Sequence, residues 1–195
     1  MWGQGGQALA AKRPGCGLLW LTVLHLAAQT APGHAAPVTV QLGPQTTTID
    51  LTIYAMGLFP MPAHFLRFTG MLRVDPQRPS DCTVVLDIAA DSLIMEDKLR
   101  ARLAMGPQLL DAAHYPTLHY QGSCAGGQPH GTLTMHGVSH TLTLTARQQG
   151  DQVAAHGSLR RQDYNISGLP GVIGRTIGFQ FSMRLPQTLA AAVSK

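Results

Sequence analysis

From Val38 onward, apolar and polar residues alternate in one short segment after another. Gly131 to Thr145 reads GTLTMHGVSHTLTLT, with Leu133 and Met135 on one face before a turn at His136, Gly137 and Val138. Leu142 and Leu144 share a face after that turn, and threonines fill the opposite side of both arms. A period of two with one dry side predicts an antiparallel hairpin. The same alternation runs through Ile49, Leu51 and Ile53, through Leu66, Phe68, Leu72 and Val74 across Gly70, and through Val84, Leu86 and Ile88. Leu118 and Tyr120 continue it, as do Val153, Ala155 and Leu159. The clearest case is Ile177, Phe179, Phe181, Met183 and Leu185.

Turn formers separate these runs: Gly43-Pro44, Pro60 with Pro62, Asp75-Pro76, Gly126-Gly127, Gly150-Asp151 and Gly168 to Gly171. One interval differs. Met95 to Leu110 holds good helix formers, with Leu99 and Leu103 at i, i+4, and predicts a short helix stopped near Gly106-Pro107. About eight or nine short strands with one helical excursion predict an all-β antiparallel barrel or sandwich. A sandwich core is filled, whereas a barrel of about eight strands holds its own side chains or one small ligand. Alternation alone leaves both open.

The first 35 residues stand apart and read as a signal peptide. Lys12 and Arg13 precede an apolar run from Gly17 to Ala28, and Gly33, His34 and Ala35 supply small residues for cleavage after Ala35. The run is too short for the roughly 20 apolar residues that span a bilayer. Removal of this segment takes away two cations and lowers the formal charge from the +4 of the whole chain. The remaining arginines are scattered, so no basic patch for nucleic acid emerges. Residues 36–195 suit one domain, exported to the periplasm or secreted. Cys16 leaves with the leader, and an oxidising compartment then permits a Cys82–Cys124 disulfide, with two free thiols as the alternative.

Candidate chemistry is sparse. His114, His119, His130, His136 and His140 cluster in sequence, and His136 with His140 across a hairpin sketches a Zn or Cu site; the plainer reading is a set of rim histidines. The chain has no Gly-x-Ser-x-Gly elbow, and Gly168, Gly171 and Gly174 lack the Lys-Ser of a phosphate loop. Asp87 with Asp91, and Glu96 with Asp97, fit the acidic first turn of a helix better than a catalytic pair. No enzyme is expected. Arg160, Arg161 and Asp163 before Tyr164 form one dense polar cluster, readable as a strand-end ion pair or as a polar latch at the mouth or floor of a barrel.

Gly131-Thr-Leu-Thr-Met-His-Gly-Val, and Phe68-Thr-Gly70 with Asp75, are two of four blocks whose order along the chain resembles the YceI-like family, the first its hairpin and the second its F-x-G strand. Leu109-Leu-Asp-Ala-Ala-His-Tyr115-Pro116 is similar to its F-F-D-x-x-x-Y-P segment, and Arg161-x-Asp163-Tyr164-Asn165-Ile166 to its R-x-D-F-G-I block, with Asn165 in place of glycine and Leu109-Leu110 in place of aromatics. The resemblance implies a lipocalin-like, up-and-down antiparallel barrel, exported and non-catalytic. It also implies a long apolar tunnel for a polyisoprenoid, an isoprenoid quinone or a related amphiphilic lipid, with no cofactor required and transient contact with a membrane or membrane protein. The candidate lining is then Ile49, Leu51, Ile53, Leu66, Phe68, Val84, Leu86, Ile88, Leu133, Met135, Leu142, Leu144, Phe179, Phe181 and Met183. Two alternatives stand beside a lipid carrier: a barrel packed shut that serves as a structural or stress-related accessory, and a His-based metal binder.

Overall fold

A computed structural model describes residues 36–193; the expected leader and its cleavage after Ala35 lie outside the described residues. Twelve strand segments follow one another: β1 Val38–Leu42, β2 Thr47–Ala55, β3 Phe59–Phe65, β4 Phe68–Asp75, β5 Arg78–Ala89, β6 Leu93–Met95, β7 Thr117–Ala125, β8 Gln128–Met135, β9 Val138–Thr143, β10 Thr145–Gln149, β11 Gln152–Arg160 and β12 Ile173–Arg184. Helix α1 (Lys98–Met105) and helix α2 (Gln187–Val193) complete the set, with short 3₁₀ turns at Ala90–Ser92 and Arg161–Tyr164.

All ladders between strands are antiparallel, in two six-stranded sheets ordered β1-β4-β5-β7-β8-β9 and β10-β11-β12-β2-β3-β6. The expected barrel is therefore corrected in one respect: its wall is not one closed ladder of about eight strands. Four long stretches of chain cross from one sheet to the other and break where they bend. The breaks fall at the Gly43 turn, whose carbonyl accepts from Thr46 and Thr47, at Leu66-Arg67, at the Ala90–Ser92 turn and at Leu144. Ser92 ties two of these corners together, because its Oγ accepts from the Arg67 amide (3.1 Å) and donates to the Ala89 carbonyl (2.7 Å). Strands that switch sheets through bends make corners between differently oriented sheets. Neighbours still follow chain order, and β12 pairs back onto β2 from Ile173↔Ala55 to Met183↔Thr47.

The core collects the inward faces predicted by alternation, among them Leu42, Ile49, Phe68, Ile88, Leu118, Leu133 and Leu159. Gly131 sits directly opposite Gly122 on β7, and a Cβ there would collide with the Gln121 carbonyl and the Gly122 Cα. The glycine that opens the hairpin motif thus lets two backbones approach closely. Helix α1 is capped by Asp97, whose carboxylate accepts from the amides of Leu99 (2.8 Å) and Arg100 (3.3 Å). It ends at Gly106, as expected. Ala101 and Ala104 face the core, while Leu99 and Leu103 are exposed.

Candidate functional site

Two apolar cavities occupy the interior, of about 400 Å³ and about 330 Å³. Their linings share no residue, and three stretches of chain show how they are arranged. Along β1 and β2 the chain passes Leu42 at the first cavity, then Ile49, then Leu51 and Ile53 at the second. Along β5 and β6 it passes Val84 and Leu86 at the first, then Ile88, then Leu93 and Met95 at the second. On β12, Phe181 and Met183 line the first, while Ile177 and Phe179 line the second. The cavities therefore lie toward opposite ends, separated by a belt of packed side chains in which Phe68 pairs with Ile88 and Ile88 with Leu118.

This order sorts the fifteen candidate lining residues. Val84, Leu86, Leu144, Phe181 and Met183 line the first cavity. Leu51, Ile53, Met135 and Phe179 line the second. Ile49, Phe68, Ile88, Leu133 and Leu142 are buried but line neither, so they belong to the belt. Leu66 does not join them: it is 52% exposed, because the chain breaks between β3 and β4 and its amide bonds the Ser92 carbonyl at the corner. Where the resemblance implies one long tunnel, the apolar interior of this structure holds two chambers.

The first chamber has a stiff wall. Cys82 and Cys124, the residues next to the Thr83↔Ser123 pair, form a disulfide with Cα atoms 4.8 Å apart, and both line the cavity. Gln128 exchanges two hydrogen bonds with Ala146 across the rim, accepting from its amide at 2.8 Å and donating to its carbonyl at 3.3 Å. Leu189 of α2, which is buried, closes one side. Tyr120 lines the chamber and directs its hydroxyl at the Leu142 carbonyl (3.4 Å); burial pushes its phenol up from the ordinary value.

The second chamber lies under α1 and the segment after β11. Leu103 and Ala104 come from the helix, Leu109 and Leu110 from the following loop, and Ile166, Leu169 and Val172 from the segment before β12. Arg161 fixes that segment. Only 2% exposed, it donates from Nε to the Gly174 carbonyl (2.9 Å), from Nη1 to those of Ile166 (2.8 Å) and Gly168 (2.7 Å), and from Nη2 to that of Ile173 (3.2 Å). Burial lowers its pKa from the usual guanidinium value, but the carbonyl dipoles take the place of an anion. Of the two readings of the polar cluster, the ion pair is thus replaced by a latch that holds a loop. Beside it, burial first and then the Asp163 charge push the Tyr164 phenol up to about 12. Asn165 adopts left-handed backbone at φ 58°. That conformation explains why an asparagine serves where the family motif has glycine.

The histidines disperse. His64 pairs with Asp50, His114 with Asp111 (2.9 Å) and His119 with Asp87 (2.6 Å), all at the surface. His136 packs its ring on Tyr115 at 4.4 Å between centroids, and its buried Nδ1 has no hydrogen-bond partner among the described residues. His140 meets Tyr164 edge-on at 5.2 Å. Among the described residues, no three metal-ligating side chains come together. Among the described residues no Asp or Glu lines either chamber; the charged lining groups are Arg147 in the first and Arg100 and Arg161 in the second. Missed by the pattern were α2, whose TLAAAV run is too short to signal a helix, and the inward role of Arg161.

The model of the YceI-like domain family matches residues 41–185. No curated protein matches the chain. Among solved structures, BcnA of Burkholderia cenocepacia superposes with a TM-score of 0.60 at 20% identity, over 70% of this chain and 94% of that one. A polyisoprenoid binding domain from Saccharophagus degradans, implicated in plant cell wall breakdown, superposes with a TM-score of 0.52 at 14% identity, over 77% of this chain and 100% of that one.

Proposed function

The chain belongs to the YceI-like family, and on that premise we propose that it is a non-catalytic protein that binds and carries an apolar lipid. The observation that carries this reading is the pair of apolar chambers without a lining carboxylate. Each has a volume in the range of about 300–1,000 Å³ common for small-molecule sites. The Saccharophagus relative, a polyisoprenoid binding domain, supports a prenyl tail as the occupant.

A tail of this kind enters the second chamber, passes the belt around Phe68 and Ile88 by side-chain rotation, and ends in the first. Each buried methylene contributes about 0.8 kcal/mol, so a tail of several prenyl units offsets an association cost of roughly 4–15 kcal/mol without a charged anchor. The ligand is an isoprenoid, an isoprenoid quinone or a similar amphiphile, no cofactor is needed, and the setting is the periplasm or the exterior after leader removal. The disulfide at the wall of the first chamber suits that oxidising setting.

Native mass spectrometry and solvent extraction of protein purified without added lipid test this reading. A bound apolar species is expected. Repeated recovery of empty protein that takes up no prenyl quinone overturns the carrier in favour of a packed accessory barrel.

A further inference from the structure

Exposed apolar side chains gather at one end of the molecule. Met56, Leu58 and Phe59 form the tip of the β2–β3 hairpin, and Leu58 is 76% exposed. The Met56 amide donates to the Val172 carbonyl (2.7 Å), which places the exposed Val172 beside that tip. Val172 and Leu103 line the second chamber while remaining 55% exposed each, so they form its lip. Helix α1 repeats the theme, since it buries alanines and turns Leu99 and Leu103 outward. A helix that spends its small residues on the core and its leucines on solvent is built for a second apolar surface.

The charges on this lip select the partner. Lys98, Arg100 and Arg102 lie on the exposed side of α1, and Arg175 is exposed three residues after Val172. The acids next in sequence to the lining are Glu96 and Asp97 before α1, Asp111 after Leu110 and Asp163 after Arg161; Asp97 is engaged as the helix cap and with Arg100 (3.3 Å), and Asp111 with His114 (2.9 Å). Apolar side chains flanked by basic ones match the interfacial zone of a bilayer with anionic headgroups. A second copy of the chain fits less well, because a symmetric contact through this face sets the same cations against each other.

We propose that the lip of the second chamber, formed by the β2–β3 hairpin tip, Val172 and the outer leucines of α1, docks on an anionic lipid bilayer. The docked end is the one through which ligand enters and leaves, a role that rests on the carrier reading, whereas the docking itself does not. Among the described residues the first chamber has no comparable rim: Met71, on β4, is an isolated exposed methionine away from this lip.

Flotation of the full chain with vesicles of phosphatidylcholine, with and without phosphatidylglycerol, tests the surface. Binding is expected only with phosphatidylglycerol. Leu58→Ser with Phe59→Ser weakens it at least about tenfold, Lys98→Gln with Arg102→Gln weakens it about fivefold per cation removed, and Met71→Ser leaves it unchanged. Thermal melts by circular dichroism verify folding, and the charge variants, on an exposed helix face, keep the test valid if the hairpin variant unfolds. Failure of the wild type to bind, equal binding by folded lip variants, or lip-dependent self-association in place of vesicle binding overturns the proposal. Lipid content measured in parallel separates the two ideas: vesicle binding by protein that never retains lipid sinks the carrier alone, and retained lipid without vesicle binding sinks the docking alone.

Discussion

The two ends of the paired sheets are made from the same alternating strands and yet differ in kind. At the first chamber the wall is stitched by a disulfide, bridged by Gln128 and closed by α2. At the second, the cover is a short helix and a loop, the loop is held by one guanidinium, and the outer surface sets exposed leucines among basic side chains. The strands supply an apolar interior to both. Which end is cross-linked and which carries exposed leucines is decided by connections and covalent links.

Substitutions inside the chambers test this contrast most severely. Ala104→Arg, at the second chamber, removes essentially all retained lipid, whereas Leu86→Arg, at the first, removes long-chain species and spares short ones; Gln149→Arg on the surface changes neither. Extraction and mass spectrometry of the three variants read the outcome. Identical lipid profiles in Leu86→Arg and Gln149→Arg would show that the tail does not reach the first chamber.

Loss of the disulfide comes next. Its cysteines are 42 residues apart, and chain-entropy arguments give about 4 kcal/mol for a loop of that size. Replacing both cysteines with alanine lowers the urea midpoint accordingly and raises amide exchange in β5 and β7, while α1 exchanges as before. Faster exchange in α1 to the same degree would merge the two ends into one unit.

Arg161→Met probes the opposite end. It deprives four carbonyls of donors and costs about 3 kcal/mol in urea denaturation, against less than about 0.5 kcal/mol for the exposed Arg160→Met. Equal costs would remove the latch. The mildest test uses pH. The Tyr164 phenol moves from 10.0 up to about 12, so the fold favours its neutral form; the stability it adds is complete below about pH 10 and is lost as pH rises from there to about 12. The loss is on the order of 2 kcal/mol in urea midpoints. Tyr164→Phe flattens most of it, and Tyr120, raised by burial at the first chamber, accounts for a remainder.

Much of the wall was legible because alternation is a local signal: Leu133 and Met135, or Phe179, Phe181 and Met183, point inward as their period requires. Corners were not legible. Leu66 keeps the parity of Phe68 and Val74, but the chain bends between them, and parity counts for nothing across a bend. Division of the interior into two chambers also escaped, since belt residues such as Ile88 and lining residues such as Leu86 are chemically alike and differ only in what faces them. In α1 the i, i+4 leucines gave the helix but not its inner face, which Ala101 and Ala104 supply. The Asn165 departure was legible as a departure, and its φ of 58° supplies the reason.

The pairing of β12 with β2 has a consequence for how the chain folds. The other ladders join strands within about 40 residues of each other, but β2 must await residues 173–184 to complete its second edge. Contacts of such long separation form late, and until then one edge of β2 offers unpaired amides and carbonyls to any passing strand. Pulse-labelled hydrogen exchange during refolding is expected to find the ladder between Thr47 and Met183 protected last; early protection there would mean that closure, rather than hairpin growth, nucleates the barrel.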